Sequence, residues 1–399
     1  MRNRGIKSFI LAVAALIPFA GQAAAQEPPI KIGFAIAMSG RQAVTDGDGY
    51  RFAQLWIKQM NEKGGLLGRK IEFVTADNKT DLAESVKAGQ QVIAEKPDLV
   101  LVSCDYDFGA PAAVQVQKAG LISVFQCAVD PKAGVLGVGP NSFTAGIASQ
   151  LDGAVIADWS MKEKGSKKAF VLEDVAGEAQ KSACAGYKWN YERLGGEIVG
   201  WEQFRFDDAS IASQVSQIAA AIRDNGADSV MICSHLGAGG AIRQIRAAGI
   251  DVTLLGPSMF DGVAWTTAVP GLTNFYIPTA VIIDGDARPE VAALTKEFKD
   301  AYNEAPSSMF AYPIYAWLEL WAKAVTEVGT TETSAVVAKM NTFTNEPTTL
   351  GPRTFTPKLH IQTSMPMQVS EFTGGKQVFV KEWSIDQAIP DKVLYRVGN

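Results

Sequence analysis

Residues 30–80 constrain the fold more than any other stretch, because they read as a strand, a helix and a second strand in direct succession. The run IKIGFAIAMSG is apolar enough to be buried on both faces, as strands of a parallel sheet are. In the helix that follows, Phe52, Leu55, Trp56 and Met60 fall on one face. Gly64 and Gly65 stop it, since glycine enters the left-handed conformation without a steric penalty. The next strand ends at Asp77, on the edge where a parallel sheet presents its ligands.

The same alternation continues along the chain. Strands are expected at 30–37, 70–75, 99–103, 121–125, 169–173, 197–204, 229–234, 253–256 and 274–279. Helices are expected at 81–95, 109–119, 144–163, 178–194, 211–225, 238–248, 287–302, 313–327 and 331–340. This pattern predicts an α/β fold with parallel sheets. The tail changes to short strands with turn signals, as in FTGGKQVFVKEW. Two α/β units begin near residues 30 and 168, which points to two similar lobes. No short fixed repeat is present, which excludes a solenoid.

The first 25 residues read as an export signal. Arg2, Arg4 and Lys7 give a positive start, Phe9 to Phe19 is a short apolar core, and Ala23-Ala24-Ala25 offers small residues for cleavage before Gln26. No cysteine follows that point, so a lipid anchor is not expected. No later segment has 18 uncharged apolar residues, so the mature chain is expected to be soluble and, in a bacterium with two membranes, periplasmic. The remaining length, about 370 residues, suits two domains better than one core. The net charge of −5 argues against nucleic acid as a partner.

Cysteines stand at 104, 127, 184 and 233. An exported chain can oxidise them, and four allow three pairings. Cys104 and Cys127 each end a strand of the first region, and Cys184 and Cys233 fall in the second, so pairing within each region is preferred; buried free thiols are the alternative.

Ser39-Gly40, the helix at Gly49, the run Asn61-Glu62-Lys63-Gly64-Gly65-Leu66-Leu67-Gly68-Arg69, Ile71-Glu72, Asp77, APAAVQVQKAGLI (110–122), Ile242-Arg243-Gln244 and Ala248-Gly249-Ile250 form an ordered set. In this set the chain resembles the periplasmic solute-binding proteins of branched-chain amino-acid ABC transporters, over nearly all of its mature length. The resemblance implies the type I periplasmic binding protein fold, with two Rossmann-like lobes joined by three crossovers. With crossovers near Phe143, Tyr276 and Phe355, lobe one comprises 27–143 and 277–355, and lobe two 144–276 and 356–399. It further implies a monomer that needs no cofactor, traps a small solute by closing its lobes, and hands it to an ABC permease whose ATPase subunits hydrolyse nucleotide. A sensor of the same fold, docking on a signalling receptor, is the other non-enzyme reading.

Four stretches are expected to line the cleft. In Met38-Ser39-Gly40-Arg41-Gln42, relatives carry an aromatic near Gln42; Ser39 and Gln42 are either ligand contacts or parts of a turn. In Cys104-Asp105-Tyr106-Asp107-Phe108, relatives place a small hydroxyl residue that helps hold the ligand carboxylate. Here Asp105 and Asp107 either repel a carboxylate, favouring an amine, a polyol or a nitrogen heterocycle, or serve as a helix cap and a solvated charge. In the third stretch Gln126 and Cys127 replace the usual Ala, Ser or Thr. In lobe two, Ala176 stands where relatives have tyrosine, His235 is expected to face the cleft, and Asp261 is the candidate partner for an ammonium, with a turn residue as the plainer reading. Tyr106, Phe108, Phe260 and Trp265 are candidate aromatic lids, Tyr106 and Phe108 the better ones.

Enzyme readings find little support. The sequence has two histidines, His235 and His360, and no GxSxG, HExxH or Walker loop. Cys233 and His235 are too few for a metal site. A Cys127 or Cys233 nucleophile with His235 as base is the one catalytic arrangement the residue types allow.

Overall fold

The computed structural model describes residues 27–396. The export signal expected over 1–25 lies outside the described residues. Two sheets organise the chain. The first is wholly parallel and has strand order β2-β1-β3-β4-β5, with β1 Ile30–Ile36, β2 Ile71–Asp77, β3 Leu99–Val102, β4 Ser123–Phe125 and β5 Ser142–Thr144. The second has order β12-β11-β10-β9-β8-β6-β7, with β6 Lys168–Asp174, β7 Glu197–Phe204, β8 Ser229–Cys233, β9 Thr253–Leu255 and β10 Phe275–Thr279 parallel. The hairpin β11 Met367–Thr373 and β12 Lys376–Trp383 adds an antiparallel edge.

The helices are α1 Ala43–Glu62, α2 Leu82–Ala94, α3 Tyr106–Lys118, α4 Ser149–Glu163, α5 Glu178–Arg193, α6 Ala212–Asn225, α7 Gly239–Ala247, α8 Pro289–Tyr302, α9 Pro313–Val328, α10 Thr333–Met340 and the short α11 Asp391–Leu394. The apolar face of α1 is buried as its spacing predicts: Phe52 packs against Phe298 of α8 at 4.5 Å and Tyr312 at 4.6 Å between ring centroids. α8 and α9 therefore return to the first sheet's side. After α1, Gly65 has φ +83°, and a Cβ there would sit 1.9 Å from the Arg69 carbonyl oxygen. Only glycine fits this turn. In the second lobe α4 and α5 touch backbone to backbone. A Cβ on Gly153 would meet the Ala183 oxygen at 2.0 Å, and one on Gly186 the Gln150 oxygen at 2.0 Å.

Two boundaries differ from expectation. The helix expected from 144 begins at Ser149, because Ser142–Thr144 pair with β4 as a fifth strand. The crossovers expected near Phe143 and Tyr276 fall inside strands, since β5 runs to Thr144 and β10 to Thr279. The segment after β5 and the segment before β11 lie side by side: Ile147 bridges Gln362 in parallel, and the Ala148 N–H donates to the Gln362 oxygen at 2.8 Å. Arg353, almost fully buried, donates from Nη1 to the Ala145 oxygen and fixes the same place.

Both disulfides join cysteines of the same region, Cys104 to Cys127 and Cys184 to Cys233. Among the described residues no helix is long and apolar enough to cross a membrane.

Candidate functional site

The loops at the carboxyl ends of β1, β2 and β3 are tied together by carboxylates. Asp46, in the first turn of α1, accepts from the Ala37 N–H at 2.8 Å and the Cys104 N–H at 2.9 Å, which links the ends of β1 and β3. Burial pushes its carboxyl up to about 6, against the pull of those bonds. Asp77 accepts from the Met38 N–H at 2.9 Å and the Ser39 hydroxyl at 2.6 Å. Partial burial raises its carboxyl, but the bonds from Ser39, Lys79 and Met38 outweigh it and hold Asp77 below the ordinary range. Ser39 therefore spends its hydroxyl on fastening its own loop.

Gln42 donates from Nε2 to Asp105 Oδ2 at 3.3 Å, so the first two expected stretches touch. Asp105 caps α3: its Oδ1 accepts from the Asp107 N–H at 2.9 Å. Burial raises the Asp105 carboxyl above its usual value, while Arg41 and, more weakly, His235 pull it down. Asp107 is exposed. Tyr106 stacks on Phe125 at 6.0 Å. The half-buried Phe108 carries the guanidinium of Arg41 over its ring at 5.0 Å.

The third stretch is closed off. Cys127 lies in the preferred disulfide, buried, with no thiol to offer a ligand, which removes its side chain from the expected ligand contacts. The nucleophile reading fails for the same reason, since Cys233 is also bonded. Gln126 is fully buried beside Gly49 of α1, and neither amide atom has a hydrogen-bond partner.

In the second lobe, the Ala176 N–H donates to Asp174 Oδ1 at 3.0 Å, and Ser234 donates to Asp174 Oδ2 at 2.7 Å. This carboxylate joins the ends of β6 and β8 and leaves the half-buried Ala176 as a small surface between them. His235 Nδ1 accepts from the Gly237 N–H at 3.0 Å, so its proton resides on Nε2. Its ring packs on Phe206 at 4.5 Å. Burial lowers the His235 pKa, opposed by Asp174 and Asp105 and aided by Arg41, which keeps the imidazole neutral near pH 7. Ser182 of α5 donates to Asp130 at 2.6 Å and Lys132 meets Glu178 at 2.5 Å, which sets the segment after β6 of one sheet against the segment after β4 of the other.

Two expectations are corrected. Phe260 is fully buried, 5.0 Å from Phe275 and 5.4 Å from Trp265, in the core of the second lobe; neither it nor Trp265 is a lid. Asp261 is buried too, and its carboxylate is used internally. It accepts from the Met309 N–H at 2.7 Å, Gln377 Nε2 at 2.8 Å and the Thr279 hydroxyl at 3.4 Å. Thr279 ends β10 and Met309 lies between α8 and α9, so the Asp261 carboxylate joins those two segments and is spent inside the protein.

Sequence reasoning missed Arg41 and Phe206. Arg41 lies inside the quoted loop but was passed over for Gln42; Phe206 follows β7 by two residues, at the same sheet edge as His235. It also missed an ion-pair cluster between the lobes. Lys132, in the segment after β4, meets Glu178 of α5 at 2.5 Å, and Arg396 and Lys181 reach the same carboxylate. This cluster borders a groove of about 580 Å³ that continues along α5 to Trp201.

A family profile described as periplasmic binding protein matches residues 29–377. Among curated proteins, the chain is 25% identical over 335 residues to a Leu/Ile/Val-binding protein homolog of Brucella melitensis, covering 82% of this chain and 86% of the relative. It is also 25% identical to a leucine-, isoleucine-, valine-, threonine- and alanine-binding protein of Pseudomonas aeruginosa, covering 86% and 91%. The fold matches the LivJ substrate-binding protein of Streptococcus pneumoniae in complex with isoleucine, with TM-score 0.71, 22% identity and coverage of 88% and 99%. It matches equally an ABC-transporter solute-binding protein of R. palustris in complex with benzoate, with TM-score 0.71, 23% identity and coverage of 90% and 99%.

Proposed function

Because this chain belongs to the periplasmic binding protein family, we propose that it is the receptor of an ABC importer, capturing a small organic solute between its two lobes and delivering it to a membrane permease. The observation that carries this reading is the meeting of strand-end segments from the two sheets, Asp130 and Lys132 after β4 with Ser182 and Glu178 of α5 after β6, at the kind of edge that also holds Arg41, Gln42, Asp105 and His235. A solute between them touches both lobes, so binding favours the closed form, and closure offers the permease a surface that the open form lacks. The receptor works as a periplasmic monomer, and nucleotide hydrolysis belongs to the importer's ATPase subunits. The solute is an amino acid or a related small acid, in keeping with the relatives and with the neighbours bound to isoleucine and benzoate.

A thermal-shift screen of refolded, ligand-free mature protein tests this. A solute that binds only the native state at 100 times its Kd stabilises it by about 2.7 kcal/mol. A marked rise in Tm with one class of amino acids or aromatic acids is expected. No shift across amino acids, aromatic acids, amines, polyols and nucleobases would sink the reading.

A further inference from the structure

Arg41, exposed in the loop after β1, carries an unpaired charge at the strand-end edge. Among the described residues no carboxylate lies within ion-pairing distance of it, and its guanidinium rests on the Phe108 face with its donors uncommitted. Phe108 is itself anchored, since its carbonyl accepts from the Ser85 hydroxyl at 2.7 Å. Three residues before Phe108, at the cap of the same helix, Asp105 has committed Oδ1 to its own helix and Oδ2 only to a long bond from Gln42. The acidic edge that argued against a carboxylate ligand thus carries its own cation. Just after the end of β8, in the second sheet, His235 presents Nε2–H, which has no protein partner among the described residues, on a ring held by Phe206 and the Gly237 N–H.

We propose that Arg41 and Asp105 are the specificity-determining pair of this receptor, Arg41 taking a ligand carboxylate and Asp105 a hydrogen-bond-donating group close to it, with His235 closing on the carboxylate from the second lobe. The ligand class is a small carboxylate that bears an ammonium or hydroxyl donor near the acid. The assignment rests on the receptor reading above. A guanidinium binds a carboxylate through two parallel N–H bonds, a geometry lysine lacks. A cation and an anion side by side accept a ligand whose head group carries the complementary pair, and leave one charge unmatched when either half is missing. This differs from a clamp of hydroxyls and backbone N–H groups, which places no formal charge against the ligand.

The test is calorimetry on ligand-free mature protein with matched probes on two skeletons. The first set is leucine, 2-hydroxy-4-methylpentanoate, 4-methylpentanoate and 3-methylbutylamine; the second is 3-phenyllactate, phenylalanine, 3-phenylpropanoate and phenethylamine. On the skeleton that binds, the acids with a donor bind tightest and the amine weakest. Arg41→Met weakens those acids roughly 10- to 100-fold, the range for a lost hydrogen bond to a charged group, and Arg41→Lys recovers part of the loss. Asp105→Asn narrows the gap between the donor-bearing acid and the plain acid. Wild-type binding that Arg41→Met leaves unchanged, or an amine that binds best, overturns this assignment and leaves the receptor reading standing. Failure of wild type to bind any probe on either skeleton, together with no shift in the wider screen, overturns both. Circular dichroism confirms that each variant is folded before its affinity is read.

Discussion

Lys132 donates to Glu178 across 2.5 Å, an ion pair that joins the segment after β4 of the first sheet to the first turn of α5 beneath the second. Arg396 and Lys181 converge on the same carboxylate. One residue group thus bridges the two sheets' strand-end segments, where it can bias how far the lobes open.

Replacing Glu178 tests that bridge. Partial burial raises its carboxyl, but the bonds from Lys132, Arg396 and Lys181 outweigh it and hold it at about 2, against an ordinary 4.5. Its folded value is depressed, so its contribution is complete above about pH 4.5 and is lost as pH falls through about 2. Glu178→Gln is expected to lower stability by about 1 kcal/mol near pH 7, because the cluster is partly exposed and screened. Chemical denaturation at pH 7 and at pH 3 measures it; the variant and wild type should differ less at the lower pH.

Asp261 makes the opposite pH prediction. Burial raises its carboxyl from 3.8 to about 6. The folded state therefore holds a proton that the unfolded chain has released, and this residue's contribution falls as pH rises from about 4 to about 6. Asp261→Asn should flatten the stability profile over that window. Asp261→Ala leaves the Met309 N–H and Gln377 without their acceptor and should cost about 2–3 kcal/mol. Because Asp261 is spent inside the protein, the Ala variant should weaken amines and other ligands alike; selective loss of amine binding would restore it to the cleft.

Glycines 153 and 240 form a matched pair. Gly153→Ala drives a Cβ into the Ala183 carbonyl, whereas a Cβ at Gly240 in α7 meets nothing within 4 Å. The first change should destabilise by about 3 kcal/mol or more through overpacking. The second should be neutral or stabilise by up to about 1 kcal/mol, as a helix gains from alanine over glycine. Urea midpoints of the two variants, read with their m-values, separate these outcomes.

The Cys104–Cys127 bond ties the loop holding Asp105 to the loop holding Gln126. Replacing both cysteines by serine should cost about 3 kcal/mol, the usual value for a loop of this size, and should weaken the ligand that the screen identifies. Unchanged affinity at lower Tm would show that the bond serves stability alone.

The sequence reading was strongest where burial writes a simple pattern. The continuous apolar runs of β1, β3 and β8 and the one-sided face of α1 located the sheets to within a residue or two. It failed where length or polarity hides the element. Ser142–Thr144 is too short to show a period, and α1 begins near Ala43 through a polar turn whose Asp46 and Asp48 are buried rather than solvated. At the site, strand ends were legible but side-chain directions were not. Asp105 and His235 follow the ends of β3 and β8 by two or three residues. Phe260 and Asp261 follow β9 at the same kind of edge and turn inward. Whether Arg41 has a partner depends on distances between loops far apart in the chain, which no local pattern records.

The measurement that bears most directly on capture between two lobes is small-angle X-ray scattering of the mature protein, without and with the solute that gives the largest thermal shift. The account predicts a smaller radius of gyration at saturation, and a smaller change in the Arg41→Met variant at the same solute concentration. Full occupancy by calorimetry with an unchanged radius of gyration would contradict it, because the solute would then bind without bringing the lobes together.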